Sequence, residues 1–141
     1  MSDVSREKYV IDQIDCITPE RILDFRTTFA GEASGTIADW TPKPYEFLIG
    51  FGAYEIDSPK PVGLGLLWGD HQLARICGIA VHREYPKRAV AAPLVQELLS
   101  EAFDLDLERV ELVNDGSQAW LREVAKAEGF VYNGKVCVYE G

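Results

Sequence analysis

Patterned sequence begins at residue 9, where "YVIDQIDCI" alternates apolar and polar positions and predicts a strand. The period then lengthens. In "TPERILDFRTTFA", Ile22, Leu23, Phe25, Arg26 and Phe29 recur at helical spacing, Thr18 can cap, and Pro19 suits the first helical position. Residues 31–44, "GEASGTIADWTPKP", follow no period and read as a loop with room for one short helix; a loop this long in a compact domain is often functional. Three strand-like runs come next: "YEFLIGFGAYEI", "VGLGLLWG" and "LARICGIAVH". The short turns "DSPKP" and "DH" between them predict an antiparallel meander. A helix over 90–103 puts Leu94, Val95, Leu98, Leu99, Ala102 and Phe103 on one face, and "RVELVN" reads as the next strand. Strand, crossover helix and strand in this order favour a parallel pair. Ser117 caps a second helix, "SQAWLREVAKAEG", with Gly129 as its left-handed stop, and "FVY", "NGK" and "VCVY" form a closing hairpin.

The resulting order is β-α-(α)-β-β-β-α-β-α-β-β. It predicts an α/β fold with a mixed central sheet of about seven strands and helices on both faces. Residues 1–8 are expected to be a tail and residues 9–141 a single domain, and 141 residues suffice for one core.

Composition narrows the partners. Hydrophobic residues make up 47% and charged residues 26%, an ordinary globular balance. No apolar run approaches the roughly 20 residues of a membrane helix, so no membrane partner is expected. The polar start "MSDVSREKYV" lacks a signal-peptide core and suggests the cytoplasm. Lys and Arg number 14 against 23 Asp and Glu, which disfavours nucleic acid. The net charge of −9 attracts a basic amine or a basic protein, and equally serves solubility. Cys16, Cys77 and Cys137 are few, widely spaced and beside Ile or Val; buried free thiols are expected, with neither disulfides nor a metal site. "GLG" at Gly63–Gly65 lies inside a strand with no helix after it, so it is not a dinucleotide fingerprint; close approach of another backbone or a ligand is the better account.

The stretch "VHREYPKRAVAAPLVQELL", Val81–Leu99, combines a strand end, a basic turn and an amphipathic helix. Helix N-termini attract anions even without glycine. With "GIAVH" and "REY" before the turn, Leu94, Leu98 and Leu99 behind it, and "EGF" before the final hairpin, the chain resembles the GNAT N-acetyltransferase superfamily. The element order resembles that family over nearly the whole chain, and the residues do so between Ile79 and Phe130. The family's phosphate turn reads Gln or Arg, two residues, Gly, one residue, then Gly or Ala. Pro86 stands here for the Gln or Arg, Ala89 for the first Gly, and Ala91 is an allowed match. The motif is therefore degenerate. An alanine held left-handed at position 89 costs roughly 1 kcal/mol. Pro93 is tolerable if the helix starts near Ala89–Ala92.

The resemblance implies acetyl-CoA as co-substrate and no metal. Backbone groups of Ile79, Ala80 and Val81 are expected to hold the pantetheine arm and the oxyanion, and Lys87, Arg88, Ala89, Val90, Ala91 and Ala92 the pyrophosphate. Acyl transfer needs a base, oxyanion donors and a proton for the departing thiolate. The family's acid is a tyrosine four residues before "GF", with an asparagine seven residues earlier. Those positions hold Ala125 and Gln118 here. Tyr85, Tyr132 or water remain as substitutes. Candidate bases are Glu111, Asp70 and His71, each of which also reads as an ordinary surface or turn residue; His82 at a strand end fits a turn better. Trp40 is a candidate for an acceptor site, while Trp68 and Trp120 fit packing. Two functions follow from the resemblance: an N-acetyltransferase acting on a primary amine of a small molecule or protein, or a catalytically inactive domain of the same fold that contacts proteins or senses acyl-CoA. A homodimer is compatible with either.

Overall fold

The three apolar runs between residues 45 and 82 pair as the meander their short turns require. A computed structural model describes residues 9–14, 33–35, 47–112, 119–134 and 136–141, with residues 33–35, 77 and 78 described by backbone only. In chain order the elements are β1 (Tyr9–Ile14), β2 (Ala33–Gly35), β3 (Phe47–Glu55), β4 (Pro61–Gly69), β5 (Ala74–His82), α1 (Lys87–Asp104), β6 (Val110–Leu112), α2 (Ala119–Ala127), β7 (Phe130–Tyr132) and β8 (Cys137–Tyr139). They form one mixed sheet in the order β1-β3-β4-β5-β6-β8-β7, with β2 also paired to β5. Among the described strands, β5 and β6 alone pair in parallel, joined by the crossover through α1. The tail over 1–8, the helix expected over 18–30, Cys16, Trp40, Ser117 and Gln118 lie outside the described residues.

Alternation along β4 turns Gly63, Gly65 and Leu67 toward α1, and Leu64 and Leu66 toward the other face; Leu64, Leu66 and Leu67 are all buried. The glycines do what close approach requires. A Cβ at Gly63 would come within 2.5 Å of Val90 Cγ1, and one at Gly65 within 2.9 Å of Leu98 Cδ1. The "GLG" stretch thus seats the helix on the sheet. Val90, Ala91, Leu94, Val95, Leu98, Leu99 and Ala102 form the buried face of α1. Gly129, at φ 101°, ends α2 as expected, and Asn133–Gly134 turns the final hairpin. No helix among the described residues is long and apolar enough to cross a membrane.

Three expectations need correction. Residues 33–35, expected within a loop, form β2, because the free edge of β5 offers them a partner that local sequence does not reveal. Helix α1 begins at Lys87 rather than near Ala89–Ala92. Pro93 is therefore interior, and the carbonyl it leaves unpaired, that of exposed Ala89, can turn to water. Phe103 is 56% exposed and lies against Tyr139 with ring centroids 5.3 Å apart. Residues spaced by four drift about 40° per step around a helix, which carries Phe103 off the buried stripe defined by Val95 and Leu99.

Candidate functional site

The site begins with a change of partner along β5. Between Leu64 and Leu66 on β4, β5 advances from Ala80 to Cys77, three steps against two. This bulge restores Ile79 and Val81 to the α1 face already occupied by Ala74 and Ile76. On its other edge β5 pairs with β6 only from Ala74 to Ile76. Beyond Ile76, the described part of β6 no longer follows. Ala80, Val81 and His82 pair instead with Gly35, Ser34 and Ala33. The strand edge expected to hold a pantetheine arm is thus available to an extended chain, and β2 lies on it.

This edge leads straight into the basic turn. The Tyr85 N–H donates to the His82 carbonyl at 2.9 Å, and α1 starts two residues later. No side chain caps α1 and no acidic residue lies in its first turn. The first intrahelical bond runs from the Val90 N–H to the Pro86 carbonyl, so the N–H groups of Lys87, Arg88 and Ala89 point out of the helix end. Arg83, Arg88 and Ala89 are exposed and Lys87 is half-buried. Asp57 and Asp106 are the only non-glycine residues with positive φ among the described residues. Ala89 is therefore an ordinary helical residue, and the cost expected for a left-handed alanine does not arise. The Tyr85 hydroxyl braces the turn from behind, donating to Glu55 Oε1 at 2.7 Å, and its ring stands edge-on to Tyr9 and His82. That hydrogen bond to a carboxylate, with a smaller effect of burial, raises the Tyr85 hydroxyl above its usual range.

A parallel pair that parts, a bulge at the parting and an uncapped helix end beyond it are accompanied by a family match. The model of the acetyltransferase (GNAT) family matches residues 14–130. The chain belongs to the GNAT acetyltransferase family. Solved structures share the fold. A GNAT family acetyltransferase from Streptococcus pneumoniae is 17% identical, with 87% of each chain covered and a TM-score of 0.62. A GNAT family acetyltransferase from Elizabethkingia anophelis, solved with acetyl-CoA bound, is 10% identical over 96% of this chain and 99% of its own, at a TM-score of 0.62. A Mycobacterium tuberculosis protein solved in complex with CoA is 22% identical over 86% of this chain and 71% of its own, at a TM-score of 0.56. No curated protein matches the chain by sequence.

Around this GNAT site the acid–base candidates scatter. Glu111 is 7% exposed, on the sheet face opposite Val110 and Leu112, and both its oxygens are engaged. Arg75 Nε lies 3.4 Å from Oε1 and Arg109 Nε 2.8 Å from Oε2. Asp70 Oδ1 accepts the N–H groups of Gln72 and Leu73, each at 2.9 Å, which fixes the turn into β5. His71 sits in that turn, edge-on to Phe47 with its carbonyl bonded to the Glu108 N–H. Both residues precede Ala74, with about 15 Å of strand between Ala74 and Ile79. Tyr132 is level with Cys137, Leu112 and Ile76, but three strand spacings from β5, roughly 14 Å away. It lines a separate groove of about 290 Å³ with Arg122, Lys126 and buried Cys137, and the Arg122 guanidinium lies 4.4 Å over its ring. Tyr85, tied to β3, points away from the parting of β5 and β6. Ala125 is fully buried. Of the residues expected in the site, the backbone of Ile79–Val81 lies on the strand that leads into α1, and Lys87, Arg88 and Ala89 present their N–H groups at its start, whereas Val90, Ala91 and Ala92 are already inside the helix, Val90 and Ala91 buried and the Val90 N–H bonded to Pro86. It does not bring Glu111, His71 or Tyr132 to them as free groups. The β2 pairing and the Tyr85–Glu55 brace were missed. The Arg109–Glu111 pair had a signal, since residues two apart in a strand share a face.

Proposed function

We propose that the chain is an acetyl-CoA-dependent N-acetyltransferase that modifies a primary amine. The observation that carries this reading is the continuous track from the β5 edge at Ala80–His82 to the uncapped N-terminus of α1. An edge that accepts Ala33–Gly35 as an antiparallel partner suits the two amides of a pantetheine arm, and the helix end suits a pyrophosphate. Lys87 and Arg88 supply charge-assisted contacts to it. The family's cofactor, seen as acetyl-CoA or CoA in the two neighbours named above, is consistent with that track.

In the proposed reaction the amine lone pair attacks the thioester carbonyl carbon. Backbone N–H groups at the β5 bulge stabilise the oxyanion, the C–S bond breaks, and an amide forms. The proton lost by the amine ends on the CoA sulfur, relayed by water. A thiol pKa near 8.5 makes the thiolate a tolerable leaving group without a dedicated acid. The net charge of −9 draws a cationic amine to the surface, where it must lose a proton before attack.

A second reading is a domain of the same fold that binds acyl-CoA without transferring the acyl group. Fully buried Ala125 at the acid position and the doubly paired Glu111 favour it. Mixing the protein with acetyl-CoA and a panel of primary amines separates the two. Amine-dependent thiol release with an N-acetylated product supports the enzyme. Acetyl-CoA binding with no release across the panel supports the sensor.

A further inference from the structure

Ala80 and Val81 are paired on both edges, to Leu64 and Gly63 of β4 on one side and to Gly35 and Ser34 of β2 on the other. The second edge is the one that the proposed acyl-CoA reading needs, and the inference rests on that reading. A backbone N–H or carbonyl committed to β2 is not free for a pantetheine amide. We propose that β2 is a built-in competitor for the cofactor: Ala33–Gly35 pairs with the β5 edge and is displaced from it when acyl-CoA binds.

The pairing is weak: a three-residue strand makes few bonds to β5, and Ala and Gly are poor strand formers. Release of β2 is also local, because β5 keeps its pairing with β4 from Gly63 to Gly69. The apparent affinity for acyl-CoA is then reduced by the fraction of molecules in which the edge is open. Weakening β2 should tighten binding without altering a single cofactor contact.

Calorimetric titration of acetyl-CoA into the wild type, Ser34→Pro and Gly35→Pro tests this. Alternate residues of an antiparallel strand direct their N–H groups at the partner, so one of the two prolines removes a bond to β5. That variant is expected to bind about three- to tenfold more tightly than the wild type. Hydrogen exchange of the wild type provides a readout free of mutation: acetyl-CoA should speed exchange at residues 33–35 while Ala80–His82 stay protected. Binding that leaves exchange at 33–35 unchanged or slower, with neither proline tightening it, overturns the competitor and leaves the acyl-CoA reading standing. No binding to any of the three at millimolar acetyl-CoA overturns both.

Discussion

Arg75 and Glu111 face each other across the parallel β5–β6 pair, Nε to Oε1 at 3.4 Å, one rung before the last described rung, Ile76–Leu112. Arg109 closes on the other carboxylate oxygen at 2.8 Å. Glu111 thus has an arginine on each carboxylate oxygen, where β5 and β6 last pair among the described residues.

Glu111→Gln should therefore reduce stability while leaving chemistry nearly intact. The arginine side chains are 41% and 49% exposed, so solvent limits the loss to about 1–2 kcal/mol, below the value for a fully buried pair. Urea denaturation reads that loss. In the proposed transfer reaction kcat/KM should change by no more than a few-fold, with an unaltered pH profile. A drop of about 100-fold or more would mark a general base instead.

Much of this architecture was legible from local chemistry. Apolar runs bounded by turn signals mark β3, β4 and β5, the short turns set their antiparallel order, and Gly129 and Asn133–Gly134 mark the ends that they form. What escaped was set by distant partners. β2 pairs with Ala80–His82 beyond the last described β5–β6 rung, an edge set by strands far apart in the chain. The partner that Arg75 gives Glu111 is not legible locally, because the two lie 36 residues apart in sequence. The phosphate turn was read as strained because its family uses glycine there, whereas here Ala89 is already inside the helix.

Gly63→Ala should be more disruptive than Gly65→Ala. The new Cβ at 63 meets Val90 Cγ1 at 2.5 Å, a β-branched side chain with little χ1 freedom, while at 65 it meets the tips of Ile79 and Leu98 at 2.8 and 2.9 Å. A loss of about 1–3 kcal/mol is expected at 63. Thermal melts should show Val90→Ala recovering part of it in the double variant, because the helix no longer has to shift.

Restoring the family tyrosine should fail. Ala125 has no exposed surface and faces the core, so Ala125→Tyr inserts a ring where there is no space. A destabilisation of about 3 kcal/mol or more, with no gain in transfer rate, is the expected outcome in parallel denaturation and thiol-release assays.

Burial pushes the Cys137 thiol up, with Arg122 opposing. The unfolded thiol loses its proton near pH 8.5, before the folded one does. Over that interval the unfolded state binds fewer protons, so stability falls as pH rises. The wild type should therefore lose more stability between about pH 8 and 10 than Cys137→Ala does, measured as the shift in urea midpoint. The native thiol should also resist alkylation at pH 8.

In the proposed function the β5 edge and the N-terminus of α1 form one acyl-CoA site. Calorimetric titration of acetyl-CoA into the wild type and into Lys87→Glu/Arg88→Glu tests it most directly. Saturable one-to-one binding is expected for the wild type, weakened about tenfold or more in the variant, with the variant's fold intact by circular dichroism. No binding at millimolar acetyl-CoA, or equal binding by the two proteins, would contradict it.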